Sequence, residues 1–120
     1  MTHVIELSAS VVKSSEVLNV PVKNKNKEDL GKIEELVIDK VNGNVRYAVL
    51  SFGGILGLGD KLFAIPWQLL SYTNEEECFI INVPKEKLKN AQGFNKNAWP
   101  DMADQTWNTD IYKYYDAKHI

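Results

Sequence analysis

Histidine and cysteine are nearly missing from this chain, and with them go most of the side chains that do chemistry near neutral pH. The histidines, His3 and His119, stand at opposite ends of the 120 residues. Chain ends fray, so they make a poor acid–base pair and a poor metal site. The single cysteine, Cys78, excludes an intramolecular disulfide. It lies between acidic residues and the run Phe79-Ile80-Ile81, which predicts a half-buried strand thiol with no histidine to activate it. A structural zinc site is excluded by the same shortage. Carboxylates do not replace it: Glu34 and Glu35 are neighbours on a strand and face opposite sides, and Glu75–Glu77 reads as a polar turn.

Excess positive charge is also lacking, with a formal net charge of −2. A nucleic-acid binder needs a basic field to displace counterions from phosphates. Lys23, Lys25 and Lys27, and again Lys85, Lys87 and Lys89, are read as solvated lysines on a loop and on a helix face. The N-terminus has no basic start and no apolar core of a signal peptide, and the expected compartment is cytoplasmic. Ala48–Pro66 is apolar enough to suggest a membrane span, but it carries Asp60, Lys61 and four glycines, which argue against one. What is present in quantity is ordinary: 44% apolar and 25% charged residues, enough for one domain with a core.

The apolar pattern predicts strands. Val17–Lys23 is β-rich, with Pro21 at a sheet edge or a strand start. Before it, Ser8 is expected to cap one helical turn that ends by Ser14-Ser15. Leu30–Asp39 follows, and its continuous Leu36-Val37-Ile38 predicts cover on both faces. Asn42-Gly43 predicts a tight hairpin with positive φ at both residues. Val45–Phe52, Leu62–Trp67, Leu69–Tyr72 and Cys78–Val83 complete five or six short strands within roughly seventy residues, a density that predicts a small barrel or rolled sheet. The domain plan is an arm over 1–16, the barrel over 17–83 and a helical extension over 84–120. Within that extension Pro84–Asn90 predicts a short helix. A second helix is capped by Asp101 or Asp104 and carries Ala103, Trp107, Ile111 and Tyr115 four residues apart. This stripe either packs on its own domain or docks on a partner.

Between the third and fourth strands lies Gly53-Gly54-Ile55-Leu56-Gly57-Leu58-Gly59-Asp60-Lys61. A phosphate-cradling glycine loop needs a helix N-terminus behind it and a hydroxyl after its lysine. Here a strand follows, so Gly53, Gly54, Gly57 and Gly59, like Gly43, are expected to serve as structural turn residues. Ile55, Leu56 and Leu58 are unusual at a turn; they either fold back on the barrel or form an interface.

Three runs then carry a resemblance: Leu30–Asp39, Gly43–Gly54 and Gly57–Trp67. Together they resemble the PRC-barrel family, whose members include a cytoplasmic domain of the photosynthetic reaction centre and a domain of a ribosome-maturation factor. The likeness covers Val17 to Val83, and Gly93-Phe94 with Trp99-Pro100-Asp101 is similar to the tail of stand-alone bacterial members. The resemblance implies a mainly β fold, a small PRC-type barrel with a C-terminal helical extension, serving docking or assembly and bringing no catalytic residues. The chain lacks the membrane helix of the first relative and the N-terminal domain of the second. The expectation is a protein-binding module without enzymatic activity or cofactor. Its partner is a protein of unknown identity or a second copy in a homodimer or higher homo-oligomer, through candidate interface residues Ile55, Leu56, Leu58, Trp107, Ile111 and Tyr115. The alternative is an RNA- or ribosome-linked factor working through Lys23, Lys25 and Lys27; an enzymatic barrel is disfavoured because barrels this small fill with side chains.

Overall fold

A computed structural model describes residues 11–53 and 60–118. A helical turn, α1 (Ser14–Val17), leads into β1 (Pro21–Asn24), β2 (Asp29–Ile38), β3 (Val45–Gly53) and β4 (Asp60–Pro66). A 3-10 turn at Trp67–Leu69 then precedes β5 (Ser71–Thr73), β6 (Cys78–Ile81), α2 (Lys85–Lys89) and α3 (Gln105–Tyr114). The strands form one six-stranded sheet in the order β4-β3-β2-β1-β6-β5. Antiparallel hairpins build most of it. The exception is β1, which lies parallel to β6 and so joins the start of the chain to the last hairpin. Pro21 is the first residue of an interior strand, which settles its expected position as a strand start rather than an edge.

The sheet is not closed by hydrogen bonds: β4 and β5 remain its two end strands. Of the expected small barrel or rolled sheet, the mainly β plan with its C-terminal helix is present, and the sheet stays open in its hydrogen bonding. The edge of β4 is covered instead by the segment after α2, where Leu62 and Phe94 exchange two backbone hydrogen bonds of 2.9 Å. This approach needs glycine at position 93. A Cβ there would stand 2.8 Å from the Leu62 carbonyl oxygen and 2.9 Å from both Lys61 Cε and Phe63 Cε1.

Burial follows the strand period. Val22, Leu30, Ile33, Leu50, Phe63, Ile65, Phe79 and Ile81 belong to one core cluster. β3 is covered on both faces, since consecutive Tyr47, Ala48, Val49 and Leu50 are all buried. β2 is not. Leu36 and Val37 are half-buried and Ile38 is 56% exposed, so the expected double cover of this run is absent among the described residues.

Two further local expectations change. The helical turn near the N-terminus falls at Ser14–Val17, where the Glu16 carboxylate accepts the Lys13 N–H at 3.1 Å. Residues 11–13 are not helical, and Ser8 lies outside the described residues. The β2–β3 hairpin is wider than an Asn-Gly two-residue turn. Asp39 and Asn44 close it through a 2.8 Å backbone bond, and of the Asn42-Gly43 pair only Gly43 takes positive φ, at 82°. The reason is Asp39: its Oδ1 accepts the N–H groups of Val41 at 2.9 Å and Asn42 at 3.3 Å, which folds the tip around the carboxylate.

Candidate interaction surface

The C-terminal helix is set by its cap. Asp104 accepts the Thr106 N–H at 3.0 Å and starts α3, which turns Trp107, Ile111 and Tyr115, with Asn108 and Tyr112, toward the sheet. Tyr47 of β3 receives them. Its ring meets Trp107 and Tyr112 edge-on, at 5.3 and 5.8 Å between centroids. Its hydroxyl donates to Asn108 Oδ1, and Asn108 Nδ2 donates to the carbonyls of Met102 at 2.9 Å and Asp104 at 2.8 Å. One buried amide thus fastens the sheet, the cap and the segment before it. Burial pushes the hydroxyls of Tyr47 and Tyr115 well above the ordinary tyrosine range, so both stay neutral.

This placement sorts the expected interface residues. Ile111 and Tyr115 are 4% and 6% exposed within the chain's own core, so they offer no surface to a partner. The stripe takes the first of its two alternatives because Tyr47 supplies an aromatic platform for it. Trp107 is half-buried on the same platform. Ile55, Leu56 and Leu58, with Gly54, Gly57 and Gly59, lie outside the described residues. The arms that carry them are paired up to Gly53↔Asp60. Just inside, Phe52 and Phe63 pack at 6.2 Å, and Lys85 and Lys61 stand over their rings.

Most of the two lysine groups are engaged locally; Lys25 is exposed and forms no ion pair among the described residues. Lys23 and Lys27 both reach Glu76, at 4.0 and 3.5 Å. Lys87 pairs with Asp116 and covers the Tyr114 ring, while Lys89 pairs with Glu86. Cys78 is buried, and burial together with the Glu76 carboxylate raises its pKa above the ordinary value, which keeps it a thiol. Among the described residues no cluster of metal-binding side chains occurs, and no helix is long and apolar enough to cross a membrane.

The surface that composition did not reveal surrounds the β2–β3 hairpin. Arg46 Nη2 donates to Asp39 Oδ2 at 3.2 Å. The backbone N–H of Val41, the Arg46 guanidinium and the Asn42 N–H hold the Asp39 carboxyl below its ordinary pKa, and Asp39 in turn raises that of Arg46. Grooves lie on both sides of this pair. One, of 580 Å³, is lined by Asn42, Asn44, Arg46, Trp67, Gln68 and Tyr112 among others. The other, of 390 Å³, runs between Val37, Ile38 and Lys40 on the hairpin and Met102, Ala103 and Asn108 near the start of α3. At the tip between them Val41 is 92% exposed.

Residues 10–88 match the PRC-barrel domain, which is well over half of the chain. The chain belongs to the PRC-barrel family. The match covers every strand and α1, and reaches into α2. A comparison with curated proteins finds no match. On the described surface of this PRC barrel, Ile38 and Val41 expose apolar side chains at one hairpin, while Val11, Val12 and Trp99 are exposed elsewhere.

Proposed function

We propose that this PRC-barrel chain is a protein-binding and assembly module without enzymatic activity, and that it self-associates. The observation that carries the reading is the apolar exposure of Ile38 and Val41 on one hairpin, beside a groove that opens to the surface. A solvated turn gains nothing from a bare valine, whereas a contact surface does. The polar groups near the grooves are committed to structure. Asp39 holds the turn and Arg46, Asn108 holds α3, and Tyr47 is a buried donor. None is poised as a nucleophile or base.

Sedimentation equilibrium over a range of concentrations tests self-association. The expected result is an apparent mass that rises from the 13.6 kDa of the monomer toward a multiple of it. A mass fixed at 13.6 kDa up to millimolar protein removes self-association from the reading. For the RNA-linked alternative, Lys25 is exposed and forms no ion pair among the described residues, while Glu76 beside Lys23 and Lys27 offsets part of the local positive charge.

A further inference from the structure

We infer that the β2–β3 hairpin and the groove beside it form a two-fold interface with a second copy of this chain, in which Val41 of each copy seats in the groove of the other. The inference deepens the self-association reading and rests on it. A knob and a hole lie next to one another on a single patch. The knob is Val41, the most exposed of the large apolar side chains described. The hole is the 390 Å³ groove, whose apolar lining is Val37, Ile38, Met102 and Ala103. Knob and hole adjacent on one surface are what an isologous contact requires, since a two-fold axis between them satisfies both at once.

Charge points to the same occupant. Lys40 lines the hairpin wall of the groove and forms no ion pair among the described residues. On the other wall, Met102 and Ala103 are bracketed in sequence by exposed Asp101 and Asp104. The hairpin wall also carries Asp39 and Arg46, but these are paired with each other, so Lys40 is its unpaired charge, and the acidic residues flank the opposite wall. Rotated onto itself the patch brings Lys40 of one copy to the acidic wall of the other, whereas a uniformly charged partner meets repulsion on one side. Ile38 also stands bare on the wall of the groove, where a second copy covers it.

Sedimentation velocity on the full chain tests this with Val41→Asp, Lys40→Asp, Asp101→Lys, the Lys40→Asp/Asp101→Lys double variant and, separately, Ile55→Ser/Leu58→Ser. Circular dichroism and the midpoint of thermal unfolding show that each folds, and the exposure of Val41 makes its variant safe. The expected result is a native dimer whose dissociation constant rises about tenfold or more in Val41→Asp. Lys40→Asp weakens the dimer, and the double variant recovers most of that loss. A folded Val41→Asp that dimerises as tightly as the native chain overturns the inference. If Ile55→Ser/Leu58→Ser then abolishes association, the self-association reading stands and the surface is the other hairpin. A native chain that stays monomeric overturns both.

Discussion

Replacing Gly31 by alanine tests how far the close approach of β2 and β3 depends on a missing side chain. Gly31 has φ of +103°, and a Cβ built on it falls 2.0 Å from the Ser51 carbonyl oxygen, 3.0 Å from its carbon and 3.2 Å from Phe52 Cα. All of these are backbone atoms of the strand it pairs with, so no side chain can swing away. Forcing a non-glycine residue into such a backbone conformation costs about 1–3 kcal/mol. Overpacking adds about 1–3 kcal/mol, since β2 must retreat from β3. Reduced freedom of the unfolded chain returns only about 0.4–1 kcal/mol. The net expectation is a loss of about 1–6 kcal/mol, against the 5–15 kcal/mol that roughly bounds a domain of this kind. Urea unfolding followed by tryptophan fluorescence reads it as a lower midpoint with an unchanged slope. Gly43→Ala is the internal control. Its φ is +82°, but no atom lies within 4 Å of the added carbon, so only the conformational cost of about 1–2 kcal/mol applies. If Gly31→Ala costs no more than Gly43→Ala, the steric argument is wrong.

Asn108→Ala leaves the buried Tyr47 hydroxyl without its acceptor and removes the side-chain donor from the Met102 carbonyl, while the Asp104 carbonyl keeps the backbone N–H of residue 108; we expect a loss of about 2–3 kcal/mol and a changed Trp107 emission, read by denaturant titration. Gly93→Ala pushes Phe94 off β4, so hydrogen exchange at the Leu62 amide should speed up while the β2–β3 amides stay protected. Asp39 has a folded pKa below its ordinary 3.8, so its contribution to stability is present above that value and is lost as pH falls through the lower folded value. Asp39→Asn should therefore be less stable than the native chain at neutral pH, and the gap should close in strong acid; an unchanged gap contradicts the assignment. Cys78 should react with a thiol reagent only as fast as the strand opens, and fully in denaturant; immediate reaction in the native state contradicts its burial.

The parts of the molecule that repeat locally were legible in the sequence. The span of β3, the choice of a cap between Asp101 and Asp104, and the spacing of Trp107, Ile111 and Tyr115 are decided by neighbours within a few residues; the structure takes Asp104 and leaves Ala103, the first residue of the expected stripe, exposed before the helix. What escaped was contact over long separations. Tyr47 and Asn108 are 61 residues apart, and neither looks unusual alone. The glycines at 31 and 93 sit in unremarkable contexts; their necessity comes from Ser51 and Leu62, which the backbone brings against them. Asn24 carries no signal in the sequence pattern, yet its side chain accepts the amides of Asn26 and Glu28 and donates to the Val83 carbonyl, tying β1 to the chain beyond β6. At the candidate surface the Asn42-Gly43 signal marked the hairpin correctly. The exposure of Val41 was hidden, because the Asp39 carboxylate that shapes the tip acts through a hydrogen-bond geometry that composition does not encode.

Dilution of isotope-labelled native chain, followed by amide chemical shifts, addresses the central claim most directly. Between millimolar and micromolar protein, the shifts that move should map to Ile38, Lys40, Val41 and the Met102–Ala103 wall, with the β1 and β6 amides unmoved. Shifts that are independent of concentration, or that move only around residues 53–61, contradict it.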